Sequence, residues 1–545
     1  MATSHKITAR PPTSVGRNVD IQTDAGTLQA VQEDAAHYPN GYANGVTHPT
    51  TEGDVASLVQ QVPRLLPVGA QSSLTGGATP MGEVVVDMQR FDRVLNVSEN
   101  SVTVQPGVPI GVLQATLARV NKFYPPTPTF DGAFTGGVVA TNASGAATFK
   151  YGTTRDWVTG LNVVLTSGEV LDIIRGETFA HPDGYFEMVT NGHTRRVPVP
   201  SYSMPNVAKC SAGYFAESNM DLIDLFIGSE GTLGIITEIT LAVVTPAPHV
   251  AFVWIPLPSD QAAYELTWML RQSAQDAWRN PSASALDVAA IEHLDARSLA
   301  IVQEDGALQK NQVQLPPNTA VALLVHIELP NENLPDPSNA YDEISKALAD
   351  GASDTPITRL CRLLDSTQLL ETTELILPSD RRRQAQIARV REAVPDGVNR
   401  RINEAKRCKN EQIQKMAADM IVPFERFLES LDVFRQAFES RKLDYAIWGH
   451  ISDGNVHPNV IPHNLEDVTR GKEAILESGR KIIELGGCPL AEHGVGRNPV
   501  KQALLLQLYG VHGVSEMRAV KASLDPENKL APGVLFPVDP RRTDK

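Results

Sequence analysis

Residues Leu65–Pro80 read LLPVGAQSSLTGGATP, a short apolar lead running into Gly69, the pair Ser72 and Ser73, then Thr75, Gly76 and Gly77. The lead has strand character, and the loop after it can bring its backbone close to an anion. Glycine removes the Cβ that would keep N–H groups from converging on a phosphate, and hydroxyls add donors to the same cradle. A plain turn between two strands explains the same composition. No Gly-Lys-Ser/Thr closes the loop, so it is not a Walker A site, and the chain has no GxGxxG fingerprint.

Two further stretches extend the pattern. In PPTPTFDGAFTGGVVATNASGAATFKYGTTRDWV, Gly136-Gly137, Thr141-Asn142, Ser144-Gly145 and Tyr151-Gly152 alternate with small apolar residues. So much small, hydrogen-bonding surface suits close backbone contact with a flat or extended ligand. In GSEGTLGIITEITLAVV, Gly228 to Val244, a Gly-Ser-Glu-Gly turn feeds a long apolar strand. Each stretch alone is compatible with a structural role. Around them EVVVDM, SVTVQ and LNVVL read as strands, the last forming a hairpin with VLDII, whereas PIGVLQATLARV reads as a helix entered through Pro109.

Taken in this order and separation, the three stretches resemble the flavin-binding domain of the vanillyl-alcohol oxidase family. The likeness is to its branch of FAD-linked 2-hydroxy-acid dehydrogenases, which includes D-lactate dehydrogenases, D-2-hydroxyglutarate dehydrogenases and the glycolate oxidase flavoprotein subunit. It spans residues 46–247 and resumes at 446–537. The resemblance implies FAD, with Gly69 to Gly77 around the pyrophosphate, Gly136 to Gly145 lining the flavin and Gly234 to Thr237 along the cofactor. The first stretch contributes Pro67, Gly69, Ala70, Gln71, Ser72, Ser73, Thr75 and Gly76. The second contributes Thr135, Gly136, Gly137, Ala140, Thr141, Asn142, Ser144, Gly145 and Gly152. The third contributes Glu230, Gly231, Gly234, Ile235, Ile236 and Thr237. Ala70 and Gln71 stand where the family usually carries more glycine, which alters the expected backbone path. Residues Arg175–Ser203 form a longer insertion than expected and read as a surface excursion or a lid.

A second constellation lies downstream in YAIWGHISDGNVHPNVIP and PLAEHGVGRNPVK. His450 and His457 stand seven apart around Asp453-Gly454, a spacing that does not share one helix face. A strand, a turn and its return converge them instead. With Glu492 they make a set of two imidazoles and a carboxylate that zinc, manganese or iron accepts. A satisfied polar histidine is the alternative at each position. Both His-x-x-Asp-Gly-Asn-x-His-x-Asn and Glu-His-Gly-x-Gly recur in the resembling branch, with Ser452 here in place of the usual glycine. The resemblance implies that His450, His457 and Glu492 hold a divalent metal, that Asn459 contacts substrate and that His493 is the base.

The resemblance also places a carboxylate-binding arginine in an Arg-Glu pair, met by Arg391-Glu392 in RRRQAQIARVREAVPDGV and favoured over Arg381, Arg382 or Arg383. A solvated, arginine-rich helix face is the alternative. KMAADMIVPFERF matches the branch at Asp419, Val422 and Pro423, but Ala417 stands where a substrate-contacting lysine is common, so a second substrate carboxylate is less expected. The chemistry needs these residue types. Oxidising a 2-hydroxy acid removes a hydroxyl proton and a hydride from one carbon centre; a flavin takes the hydride, a dication acidifies the hydroxyl and a histidine takes the proton. A planar guanidinium suits the carboxylate.

Composition bounds the rest. Among 545 residues, 63 acidic side chains outnumber 48 basic ones, which argues against capture of nucleic acid or an anionic membrane. The four cysteines form no Cys-x-x-Cys pair, so neither a disulfide framework nor a cysteine–zinc site is expected, and a reducing compartment fits. No run of 18 apolar residues occurs, so no transmembrane span is expected. The N-terminus lacks a secretory apolar stretch and resembles a transit peptide only faintly. The expected location is cytoplasmic, with peripheral membrane attachment open and organelle targeting not expected.

The expected fold is α+β: an N-terminal loose arm (1–45), an FAD-binding domain (46–247), a substrate domain with an antiparallel sheet (248–466) and a C-terminal cap (467–545) returning to the cofactor. The expected reaction is oxidation of a D-lactate-like D-2-hydroxy acid to the 2-keto acid, with electrons passed to a quinone, an electron-transfer protein or a cytochrome. The alternative is a metal-independent flavin alcohol oxidase that uses oxygen.

Overall fold

A computed structural model describes residues 4–538 apart from Arg17, Asn18, Thr127, Ala283, Glu332, Asn333 and Asp336. The chain forms two units, one made of the residues up to Gly145, Gly152–Pro246 and Cys488 onward, the other of Ala146–Tyr151 and Ala247–Gly487.

The first unit begins with a small parallel sheet in which Val84–Asp87 runs between Gly45–Thr47 and Leu65–Val68. Helix Glu52–Gln61 connects the two outer strands. Thr51 and Asp54 close a reciprocal capping box at its start, which satisfies backbone donors that the first turn leaves over. The apolar face of that helix, Val55, Leu58 and Val59, packs with Leu65, Val84, Val164, Ile235 and Leu530 in one core. A five-stranded antiparallel sheet follows, ordered Val94–Val97, Ser101–Val104, Ile235–Ala242, Val158–Val164 and Val170–Ile174. The hairpin read from LNVVL and VLDII is its outer pair, and the strand read from GIITEITLAVV alternates buried and half-buried along its length. Helix Ile110–Ala118 starts after Pro109, as its sequence predicts.

One reading of the chain's early part needs correction. The N-terminal segment is not loose: Lys6–Thr8 is a strand paired parallel with Tyr185–Thr190. The long stretch Arg175–Ser203 supplies that partner and folds back antiparallel through His193–Pro198, with Phe186, Met188 and Val197 buried. Each segment gives the other its backbone hydrogen bonds, so neither shows a complete pattern when read alone.

The second unit is built on an eight-stranded sheet in which every pairing is antiparallel. Its order is Glu374–Ile376, His249–Leu257, Val321–Leu329, Asp287–Leu294, Tyr445–His450, Asn455–Val460 and Met416–Ala417, with Met420–Ile421 also pairing on Asn455–Val460. Central strand Val321–Leu329 is buried along almost its whole length, which explains its unbroken apolar run. Its longer helices include Asp260–Arg279, Arg381–Cys408, Phe427–Glu439 and Leu465–Glu484.

Candidate active site

In the first unit, strand Leu65–Val68 delivers the glycine loop. Gln71 takes a left-handed backbone (φ 49°), a conformation that ordinarily favours glycine. Its side-chain amide donates to the Val31 and Ala78 carbonyls at 3.0 Å each, which offsets the strain and folds the loop on itself. Ser73 and Thr75 share a hydroxyl–hydroxyl bond of 3.1 Å at the loop's tip. Helix Thr135–Ala140 opens the second stretch. The N–H groups of Thr135 and Gly136 donate to Val108 and Pro106 carbonyls, and Gly136 is required because a Cβ there would sit 2.5 Å from Pro106. Gly137 has no such reason, since a Cβ would meet nothing within 4 Å. That open approach suits a flat ligand lying against the backbone.

The remaining assigned residues of this unit divide between packing and connection. Asn142 accepts from the Arg155 N–H, Thr141 bonds back to Gly137, and Gly152 (φ 72°) precedes the capping box of Thr153 and Asp156. Ile235 is core, Ile236 is half-buried and Thr237 donates to the Asn162 carbonyl. Pro67 packs where a side chain at Gly231 would have to go. Glu230 ties three stretches together. Its N–H donates to Ala140, and its carboxylate accepts from the N–H groups of Val495 and Gly496 at 2.8 Å each. Burial pushes this carboxyl up to about 7 despite those two bonds.

The Glu-His-Gly-Val-Gly loop belongs to the same unit. Gly496 has φ 57° and lies so close to Thr75 that a Cβ would sit 2.2 Å from its hydroxyl. Thr75 also accepts from the Arg497 N–H, so the loop is locked onto the tip of the first glycine stretch. Glu492 is buried, and its Oε2 accepts from the Nζ of Lys209 and the hydroxyl of Ser144, both at 3.2 Å. Its Oε1 lies 3.9 Å from Nε2 of His493, an imidazole 29% exposed and so reachable from outside the protein core.

In the second unit, strand Tyr445–His450 turns through Ile451–Asp453 and returns as Asn455–Val460. Gly454 makes the turn in the left-handed region (φ 84°), where a Cβ would also lie 2.2 Å from the Val422 carbonyl. Ser452, the replacement for a glycine, is fully buried; its hydroxyl accepts from the Ile291 N–H and its carbonyl accepts from Arg271. Across the hairpin His450 faces Asn455 and His457 faces Trp448, so the two imidazoles stand on one side with ring centres 5.4 Å apart. Nδ1 of His450 is 3.3 Å from Glu292 and Nδ1 of His457 is 3.4 Å from Asp419. A carboxylate beside one ring nitrogen favours the tautomer whose other nitrogen carries a lone pair, the usual support of a metal-ligating histidine.

Arg391 also meets Glu292, donating through Nε and Nη2 at 3.2 and 3.1 Å. Burial alone would raise the Glu292 carboxyl, but Arg391 and His450 outweigh it and hold the group well below the usual carboxylate range. Arg383 bonds Glu374 instead, and Arg381 and Arg382 are exposed. Asn459 gives its amide N–H to the His457 carbonyl, while its buried Oδ1 has no hydrogen-bond partner. An orphaned acceptor of this kind fits a site that receives a donor from a ligand.

The structure thus gathers His450, His457, Asn459 and Arg391 in the second unit and Glu492 and His493 in the first. Glu292 and Lys209 were missed from sequence. Each is a single polar residue in an apolar or unpatterned stretch, with a partner remote in the chain.

Residues 43–173 match the FAD binding domain family, and residues 258–535, just over half of the chain, match FAD linked oxidases, C-terminal domain. The chain belongs to the FAD-linked oxidases. It is an FAD-linked oxidoreductase, with the cradle at Gly137 and the glycine loop suited to that cofactor. It is 28% identical to the glycolate oxidase subunit GlcD of Bacillus subtilis over 88% of this chain and 85% of that one. It is 28% identical to D-2-hydroxyglutarate dehydrogenase of Xanthomonas citri pv. viticola over 87% and 84%, and 25% identical to D-lactate dehydrogenase of Anaerostipes hadrus over 93% of each. A solved alkyldihydroxyacetonephosphate synthase shares the fold at TM-score 0.58 and 14% identity, covering 96% of this chain and 88% of that one. Among the described residues no helix is long and apolar enough to cross a membrane.

Proposed function

We propose that this FAD-linked oxidoreductase converts a D-2-hydroxy acid, D-lactate or a close analogue, to the 2-keto acid, with His450, His457 and Glu492 holding a divalent metal. The observation that carries the reading is the hairpin pair of imidazoles, each with a carboxylate behind it, beside the unpartnered Oδ1 of Asn459. The names of the relatives, glycolate oxidase subunit, D-2-hydroxyglutarate dehydrogenase and D-lactate dehydrogenase, support the substrate class.

FAD, when bound, is the hydride acceptor, and a bound zinc, manganese or iron ion acidifies the hydroxyl it touches. The chain's own residues do the rest. Loop Gly69 to Gly77, the helix start at Gly137 and the strand from Gly234 hold the cofactor. Arg391 offers its remaining donors to the substrate carboxylate, Asn459 contacts the substrate, and His493 takes the single hydroxyl proton at an imidazole nitrogen. Glu492 supplies the carboxylate of the metal-holding set, held in place at Oε2 by Lys209 and Ser144. Electrons leave to a quinone, an electron-transfer protein or a cytochrome.

The Lys209–Glu492 pair favours a second reading. A carboxylate already balanced by a buried ammonium needs no dication, and the enzyme is then a metal-independent flavin oxidase using oxygen. Chelation separates the two. Metal-stripped protein, with flavin retained, is expected to lose D-lactate turnover with a dye acceptor and to regain it on adding back zinc, manganese or iron. Full turnover after stripping, coupled to oxygen uptake, selects the oxidase.

A further inference from the structure

One face of the second unit's sheet gathers chemistry from several strands. Residues opposite each other in an antiparallel ladder point to the same side. Glu292 pairs with Leu324 on one flank and His450 on the other; Ala290 pairs with His326, and His326 with Phe252. Asn459 lies across from Ala446 and Ala417. His326, Glu292, His450, His457 and Asn459 therefore share a face.

The charge on that face is one-sided. The eight strands contain no lysine or arginine. Two cations reach it from outside the strands: Arg391, from helix Arg381–Cys408, gives two of its donors to Glu292, and Lys150, beside Glu328 two residues on from His326, is already held by Asp287 and Glu328 at 2.6 Å each. His326 stacks on Phe252 with ring centres 4.3 Å apart and planes 6° from parallel, and its Nε2 is buried with no hydrogen-bond partner. Desolvation holds this imidazole uncharged, its pKa brought down to about 4. A buried nitrogen without a partner costs stability that a ligand's hydroxyl or carbonyl would return.

We propose that Glu292 and His326 set the charge the site accepts, restricting it to 2-hydroxy acids with one carboxylate and an uncharged side chain. The inference rests on the preceding reading of Arg391 as the carboxylate anchor. One carboxylate takes the guanidinium donors that Glu292 leaves. A second one meets a neutral ring, the methyl of Ala417 and the negative charge of Glu292, and a carboxylate desolvated without a counter-charge binds poorly. His326 offers a hydrogen bond to an uncharged group instead.

The test uses the holoenzyme at pH 8, where an imidazole is neutral. Anaerobic flavin reduction by D-lactate and D-2-hydroxybutyrate is compared with reduction by D-malate and D-2-hydroxyglutarate, and kcat/KM is expected to favour the first pair by about 10-fold or more. His326→Lys supplies the missing cation and should move that ratio toward the dicarboxylates by about 10-fold. Binding of pyruvate against 2-oxoglutarate to unmodified holoenzyme, followed by perturbation of the flavin spectrum, tests the same preference without any variant. Equal or reversed preference overturns the charge rule while leaving 2-hydroxy-acid oxidation intact. An unmoved ratio in a folded His326→Lys protein removes His326 from the role. Flavin that none of the acids reduces overturns the functional reading itself.

Discussion

Lys209 is the residue whose role is least visible in sequence and plainest in space. Its ammonium is wholly buried against Glu492, and a buried pair that loses one partner leaves an uncompensated charge. Lys209→Met is expected to destabilise the fold by about 3–5 kcal/mol, with Lys209→Met/Glu492→Gln recovering much of that loss; equal unfolding midpoints in urea for the two variants would show that the pair is not coupled. Glu230 gives a pH signature. Its carboxyl rises from an ordinary 4.5 to about 7, so the folded chain holds a proton that the unfolded chain releases. The stability this contributes is complete below about 4.5 and declines as pH rises through 7, by about 3 kcal/mol in all. Glu230→Gln should flatten that part of the profile, and parallel urea curves from pH 5 to 8 for both proteins would assign the slope elsewhere. Glu230 stood out as part of a glycine turn. Its two bonds to Val495 and Gly496 join residues more than 260 positions away and left no local mark.

Elements were legible where periodicity is local. The hairpin at Val158–Ile174, the strands Val84–Asp87 and Ser101–Val104 and the helix after Pro109 all follow from alternation, turn chemistry and helical spacing inside a dozen residues. Helix Leu465–Glu484 opens on a polar first turn that Asn464 caps, so its start carries no apolar mark. The pairing of Lys6–Thr8 with Tyr185–Thr190 was illegible for the opposite reason: its hydrogen bonds close over most of a unit's length, and neither strand is strongly apolar. The His450–His457 hairpin lies between these cases. Seven residues around Asp-Gly suggest convergence, whereas the carboxylates that orient the rings come from distant strands and turns. Its weak point is the turn. Gly454→Ala forces an L side chain into a left-handed conformation and against the Val422 carbonyl, and is expected to cost at least about 2 kcal/mol in urea unfolding. A variant that unfolds at the parent's urea midpoint would show that the turn tolerates a Cβ.

On the scale of the whole chain, the two family matches agree with the order of the glycine stretches on a flavoenzyme. The order of the glycine stretches made the cofactor legible; the acid's side chain was not, because pocket shape comes from residues whose chain order carries no pattern. The first unit closes on its own far end: Leu65 gives its carbonyl to the Ala531 N–H and takes the Lys529 carbonyl, and Leu530 enters the core beneath the glycine loop. Its edge strand therefore emerges from the ribosome long before the tail that covers it has been translated. At about 5–20 residues per second the wait is on the order of tens of seconds. Through that interval the nascent chain carries an uncovered apolar edge of the kind chaperones bind, and the core around Leu65 is complete only once Leu530 has been made.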